Sequence, residues 1–214
     1  MVATNERRAR EKARRRQEIL QAAKEVFFEQ GFHKATVDDV AAHAQVSKGT
    51  IYLYFESKES ILAHLLLEGL TLLHTQLNAA CSASQAMSAE ERLWRLAKAY
   101  LDFSQNNPQY FRLMMAFDRG RFREQIPPDL YERILAQSMT SLDLVTQTVQ
   151  QGIQDGDFAC DDPKLSAGAL WAALNGVLVL MANPLRRQML SVELEPMFKV
   201  TMNLVARGLR QPSD

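Results

Sequence analysis

Residues 36–59 read TVDDVAAHAQVSKGTIYLYFESKE. Val37, Val40, Ala41 and Ala44 recur at helical spacing, and Thr36 with Asp39 forms a T-x-x-D box that caps such a helix. Ser47 caps a second short helix, with Val46 and Ile51 placed as the two halves of a hydrophobic staple. Only Ala44-Gln45-Val46 lies between them, so the two helices must cross steeply, and Ala41 leaves the room that a close crossing needs. The spacing predicts a helix-turn-helix. Lys48, Thr50, Tyr52 and Tyr54 then face outward as groups able to enter a major groove. Ser47, Thr50, Tyr52 and Lys58 can bond phosphates, contacts that set register rather than specify sequence. The same pattern would also serve two ordinary helices of an all-α core.

Outward from this stretch every periodic segment has the helical period, and no segment reads as a β-hairpin. A preceding helix carries Ile19, Leu20, Ala23, Val26 and Phe27 on one face and stops at Gly31. Ser57 opens a long helix through Ile61, Leu62, Leu65, Leu66 and Leu73, and Ser88 with Glu91 boxes the start of another. Asn107-Pro108 interrupts that helix and starts the next, which a polar loop around Gly120 follows. A long helix begins after Pro127-Pro128 and ends near Gly156. Asp162-Pro163 starts an apolar one that stops at Asn183-Pro184, and a last helix spans Val192 to Leu209. The expected fold is all-α with about nine helices.

The chain has 214 residues, 47% of them hydrophobic, which is ample for a globular core. Its formal net charge is zero, but residues 1–16 hold seven Arg and Lys against two Glu. Such a run is a common DNA-binding appendage, and equally a solvated tail. Two distant cysteines, Cys81 and Cys160, give neither a disulfide framework nor a zinc pattern and suit a reducing cytoplasm. His33, His43, His64 and His74 have no metal-ligand spacing, so neither metal nor cofactor is expected. No GxSxG, phosphate-cradling glycine loop or HExxH points to an enzyme. The run AGALWAALNGVLVLMA, Ala167 to Ala182, is short for a membrane span and contains Asn175; it reads as a buried helix or subunit interface.

The stretch from Ile19 to Leu66 resembles the DNA-binding domain of the TetR family of regulators. The resemblance rests on Ala35-Thr36-Val37, Val40-Ala41, Val46-Ser47-Lys48-Gly49-Thr50-Ile51-Tyr52 and Tyr54-Phe55-x-Ser57-Lys58-Glu59. It implies a three-helix head on a larger helical domain that binds an effector and dimerises. The corresponding division is a basic arm (1–16), a DNA-binding domain (17–62) and an effector and dimerisation domain (63–214). By position it points to Thr36 and Lys58 at the DNA backbone, and to Lys48, Gly49, Thr50, Tyr52 and Tyr54 at or near the groove. Val37 and Ser47 complete the expected set. Gln45 stands where the family usually has glycine, because the backbone there tends toward positive φ; a non-glycine residue costs about 1 kcal/mol. Asn107 to Met114 resembles the matching segment of several such regulators.

Phe103, Phe111, Met114, Met115, Phe117, Met139, Trp171 and Met181 could line an adaptable apolar effector cavity, or be plain core. Asn175 is either a hydrogen-bonding group of that cavity or a satisfied interface amide. The expected protein is a cytoplasmic homodimer on palindromic double-stranded operator DNA, released by a small-molecule effector and not membrane-bound. Its apolar helices, from Pro163 to Ala182 and from Val192 to Leu209, pair with their symmetry mates. The alternative is a constitutive or architectural DNA-binding protein without an effector.

Overall fold

The computed structural model describes residues 2–82, 87–118, 120 and 125–210. The loop expected around Gly120 falls largely outside them. Among the described residues ten α-helices follow one another: α1 (Val2–Gln30), α2 (Val37–His43), α3 (Lys48–Tyr52), α4 (Lys58–Ser82) and α5 (Ala89–Asn106), then α6 (Pro108–Asp118), α7 (Pro128–Gln154), α8 (Pro163–Met181), α9 (Pro184–Leu190) and α10 (Leu194–Leu209). The all-α expectation holds. One antiparallel bridge, Phe158 with Arg210, is the β-type pairing among these residues.

Short-range signals account for most helix ends. Thr36 and Asp39 form the reciprocal capping box of α2, and Ser88 and Glu91 that of α5. The Ser57 hydroxyl accepts from the Ser60 amide at the start of α4. Asp162 caps α8, with Pro163 in its first turn. The tenth helix, α9, is the difference from the sequence reading. Asn183 ends α8 but also caps α9, its side chain accepting from the Leu185 amide, and Pro184 occupies the new first turn. Ser191, at φ 51°, closes this short helix before α10.

The basic run forms the first half of α1. From Glu6 onward it contains good helix formers and neither glycine nor proline. Ion pairs Arg7–Glu11, Arg10–Glu6 and Arg14–Glu18, each four residues apart, add a few tenths of a kcal/mol apiece.

The chain divides into two compact units, residues 1–69 with 109–135, and residues 70–108 with 136–214. In the first, Ile19, Ala23, Val26 and Phe27 of α1, Val40 and Ala41 of α2, Ile51 of α3, Phe55, and Ile61, Leu62 and Leu65 of α4 are buried. Tyr110 of α6 belongs to the same unit. Its ring meets Phe28 edge-on at 5.0 Å and lies so close over Gly69 that a Cβ there would stand 2.7 Å from Cδ1. Its hydroxyl donates to Glu68 Oε1 (2.5 Å), the oxygen that also receives Lys24 Nζ (2.7 Å). One carboxylate oxygen thus ties α1, α4 and α6. Burial and this carboxylate push the phenol well above its ordinary range and keep it a donor.

In the second unit Leu93, Leu96, Ala97, Leu101 and Phe103 of α5 are buried, as are Ala167, Leu170, Leu174 and Leu178 of α8 and Phe198, Met202 and Ala206 of α10. Gly152 of α7 admits the Phe158 ring: a Cβ would sit 2.1 Å from Cδ2. The end of α10 is fastened twice, by the Ala159 amide donating to the Leu209 carbonyl (2.7 Å) and by Arg210 forking onto the Glu90 carboxylate (2.5 and 3.0 Å). Both α8 and α10 keep an apolar outer stripe. On α8 it is Leu165 (72% exposed), Ala169, Ala172, Gly176 and Leu180; on α10, Pro196, Val200 and Leu204 (66%).

Candidate nucleic-acid interface

The turn joining α2 to α3 is set by its backbone. Gln45 lies at φ 52°, as expected for this position, and the Val46 amide donates to the Ala41 carbonyl (2.9 Å). Ser47 caps α3, its hydroxyl accepting from the Thr50 amide (3.1 Å) and meeting Thr50 Oγ1 at 2.9 Å. Ile51 is fully buried and anchors α3 to the head, so the residues around it face outward.

The expected site residues divide by environment. Tyr52 is 49% exposed at the end of α3, and Tyr54 is half-buried just beyond it. Leu53, 76% exposed, joins that outward face; the sequence reading omitted it, although its place between buried Ile51 and Phe55 required it to point away. Ser47 and Gly49 are exposed, and Thr50 is half-buried. A Cβ on Gly49 would touch only Ser47 Oγ, at an ordinary 3.7 Å. The head itself therefore has no steric need for glycine there.

Lys48 Nζ bonds Asp38 Oδ2 at 2.7 Å, an exposed pair that raises the lysine's pKa. Asp39 takes the Thr36 amide and hydroxyl at 2.8 and 2.7 Å, which holds its carboxyl below the usual range. Thr36 is exposed and α2 begins on it. Val37 is buried, so its side chain serves the core and its backbone alone can face a ligand. Lys58 is half-buried with Nζ 5.9 Å from the centre of the Phe27 ring.

The residues named for an effector cavity are spread over both units. Phe111, Met114, Met115 and Phe117 belong to the first; the two former are buried, and Phe117 stacks on Tyr131 at 5.9 Å. Phe103, Met139, Trp171 and Asn175 belong to the second. Phe103 is fully buried, while Met139 and Trp171 are a little under half exposed in the single chain. Asn175 Oδ1 accepts from the Tyr100 hydroxyl at 2.5 Å, which explains an amide in so apolar a helix: it satisfies a buried phenol of α5. Among the described residues no group of three or more His, Cys, Asp or Glu could hold a metal ion.

Two family profiles match the chain. "Bacterial regulatory proteins, tetR family" covers residues 19–65, and "Tetracyclin repressor-like, C-terminal domain" covers residues 86–179. The uncharacterised HTH-type transcriptional regulator YfiR of Bacillus subtilis is 24% identical over 78% of this chain and 80% of its own. A solved regulatory protein of the tetR family from Rhodococcus RHA1 superposes with a TM-score of 0.71 at 22% identity, over 93% of this chain and 98% of that one. The transcriptional regulator FadR of Bacillus subtilis, solved with stearoyl-CoA, gives 0.67 at 21% identity over 91% and 99%. With its capped helix-turn-helix and the profiles that match on either side of residue 70, this chain belongs to the TetR family of DNA-binding transcriptional regulators.

Proposed function

We propose that the protein is a ligand-responsive repressor that binds a palindromic operator as a homodimer in the cytoplasm. The outward face of α3 carries this reading: Tyr52 and Leu53 project from a helix held by buried Ile51, beside a glycine whose space the head does not fill. In this reading Lys48, Gly49, Thr50, Tyr52 and Tyr54 meet the major groove, Leu53 offers an apolar contact to a thymine methyl, and Ser47, Thr36, Lys58 and the Val37 backbone meet phosphates. Lys48 must leave Asp38 to do so, which makes Asp38 a brake on non-specific binding.

The homodimer is supported by the apolar stripes of α8 and α10, which lie on two helices packed against each other. Helix α8 is long and apolar enough to cross a membrane, but α10, packed against it, also keeps exposed apolar residues, and covering both with a second copy is the economical solution. Two-fold symmetry also places two reading helices on one palindrome. The effector is inferred to be a molecule with a long apolar part. FadR, at 21% identity a relative in fold, was solved with stearoyl-CoA, so long-chain acyl thioesters are the first compounds to try.

Selection of bound duplex from a random pool tests the reading. A two-fold symmetric sequence should emerge, and Tyr52→Ala should lose about 1–3 kcal/mol of affinity for it with helical circular dichroism intact. An asymmetric sequence, or full binding by Tyr52→Ala, overturns the assignment. Release by one of a panel of acyl thioesters and apolar amphiphiles separates a ligand-responsive repressor from the constitutive alternative.

A further inference from the structure

The helix-turn-helix makes no use of the basic run at the start of the chain, and the family profile begins only at residue 19. Residues 5–18 are helical and, Arg16 apart, exposed. Glu6, Glu11 and Glu18 engage Arg10, Arg7, Arg14 and Arg15. Arg8 and Lys12 have no ion pair among the described residues. With Arg15 they recur at positions i, i+4 and i+7, which places them on one helix face. That face adjoins the DNA-reading element: Arg8, Lys12, Arg14, Arg15 and Tyr54 line a single open concavity, together with Glu11 and Glu18. Tyr54 lies two residues beyond α3, so the basic face borders the segment that leaves that helix.

The run is also anchored at its root. The Arg16 guanidinium sits 4.8 Å over the ring of Phe55, which is buried. No break separates residues 5–16 from the part of α1 that carries Ile19 and Ala23 into the core. A helix so rooted holds its charges in a fixed direction. Twelve residues at 1.5 Å each reach about 18 Å, half the 34–36 Å of one duplex turn.

We propose that residues 5–16 are a rigid second DNA-contacting surface, in which Arg8, Lys12 and Arg15 bind backbone phosphates outside the segment read by α3 and so lengthen each half-site. The proposal rests on the operator-binding reading above. Polyphosphate chemistry fits because the face offers cations about one helical turn apart, in a concavity where Arg8, Lys12, Arg14 and Arg15 outnumber Glu11 and Glu18, and duplex DNA is the polyanion that α3 itself would bring into reach.

The test compares full-length wild type, Arg8→Ala/Lys12→Ala, Ala13→Pro and the milder Ala13→Gly on two duplexes: the selected operator with natural flanks, and the same operator trimmed to its half-sites. Ala13→Pro and Ala13→Gly keep every charge but interrupt the helix. Wild type should bind the flanked duplex roughly tenfold or more tightly than the trimmed one. The double variant should lose that preference, and its log–log salt slope should fall by about 0.9 for each phosphate contact removed. Ala13→Pro should behave likewise, with Ala13→Gly intermediate. An unchanged slope and flank preference in the double variant overturns the proposal. Full retention by both Ala13 variants overturns its rigid part and leaves a flexible tail. If trimming weakens no protein, the phosphates lie elsewhere and the proposal is wrong. If wild type selects no duplex at all, the operator reading fails, an outcome distinct from all of these.

Discussion

Gln45 holds a left-handed backbone conformation in the turn that sets the angle between α2 and α3. Its side chain is exposed, so glycine there would forfeit little packing while relieving strain of about 1 kcal/mol, partly offset by a more flexible unfolded chain. Gln45→Gly should therefore stabilise the protein by up to about 1 kcal/mol in denaturant titration; a loss of stability would show that the glutamine makes a contact of its own. His64 makes a second residue-scale prediction. Its ring lies edge-on to Phe55, and one nitrogen is 2.7 Å from the Ser60 carbonyl. Burial lowers its pKa, Arg16 and Arg133 lower it further, and the Ser60 carbonyl and Asp129 oppose them. A base whose pKa is lower folded than unfolded binds fewer protons in the native state, so stability falls as pH drops below its unfolded value near 6.5. Melting temperature should decline from pH 7 to pH 5, and His64→Gln should flatten that decline. An equal decline in the variant would assign the acid sensitivity to other groups.

At the scale of elements, what could be read from sequence was what lies within a few residues along the chain. The boxes Thr36/Asp39 and Ser88/Glu91 and the caps Ser47 and Asp162 are local geometry, whereas the positive φ at Gln45 was expected from the family resemblance. Helix α9 escaped because Asn183-Pro184 is a stop and a start at once, and the sequence reading took it as a stop only. The partners of Glu68, 44 and 42 residues away, and the Tyr100–Asn175 bond across 75 residues, depend on how helices pack and leave no periodic trace. In the helix-turn-helix the burial of Val37, Val40 and Ala41 followed from the helical period, while the Lys48–Asp38 pair emerged only from packing. Close helix approach also yields a sharp test. Gly152→Ala would drive a methyl group into the Phe158 ring and against Ala89, whose Cβ lies 2.9 Å from the added carbon. Since the obstruction is a buried ring, about 1–3 kcal/mol of destabilisation is expected despite the gain in helix propensity. A neutral or stabilising result in thermal and denaturant melts would mean that Phe158 yields freely.

For the whole molecule the decisive quantity is how many chains act together. Gly176 lies in the outer stripe of α8, and a Cβ there would meet nothing within 4 Å in the single chain. Gly176→Arg should therefore leave the subunit folded but place a charge in the proposed interface. Sedimentation should report a dimer for wild type and a species near 24.2 kDa for the variant, with operator affinity greatly reduced. A dimeric Gly176→Arg, or a monomeric wild type that still holds its operator, would defeat the dimer reading. The apolar stripe of α8 and α10 then has a consequence for dosage. If only paired subunits grip DNA and most subunits are unpaired, the number of competent dimers follows the square of subunit concentration by mass action. Halving synthesis would leave about a quarter of the dimers. Leu165 and Leu204 would thus make the proposed repression respond to protein abundance more steeply than in proportion.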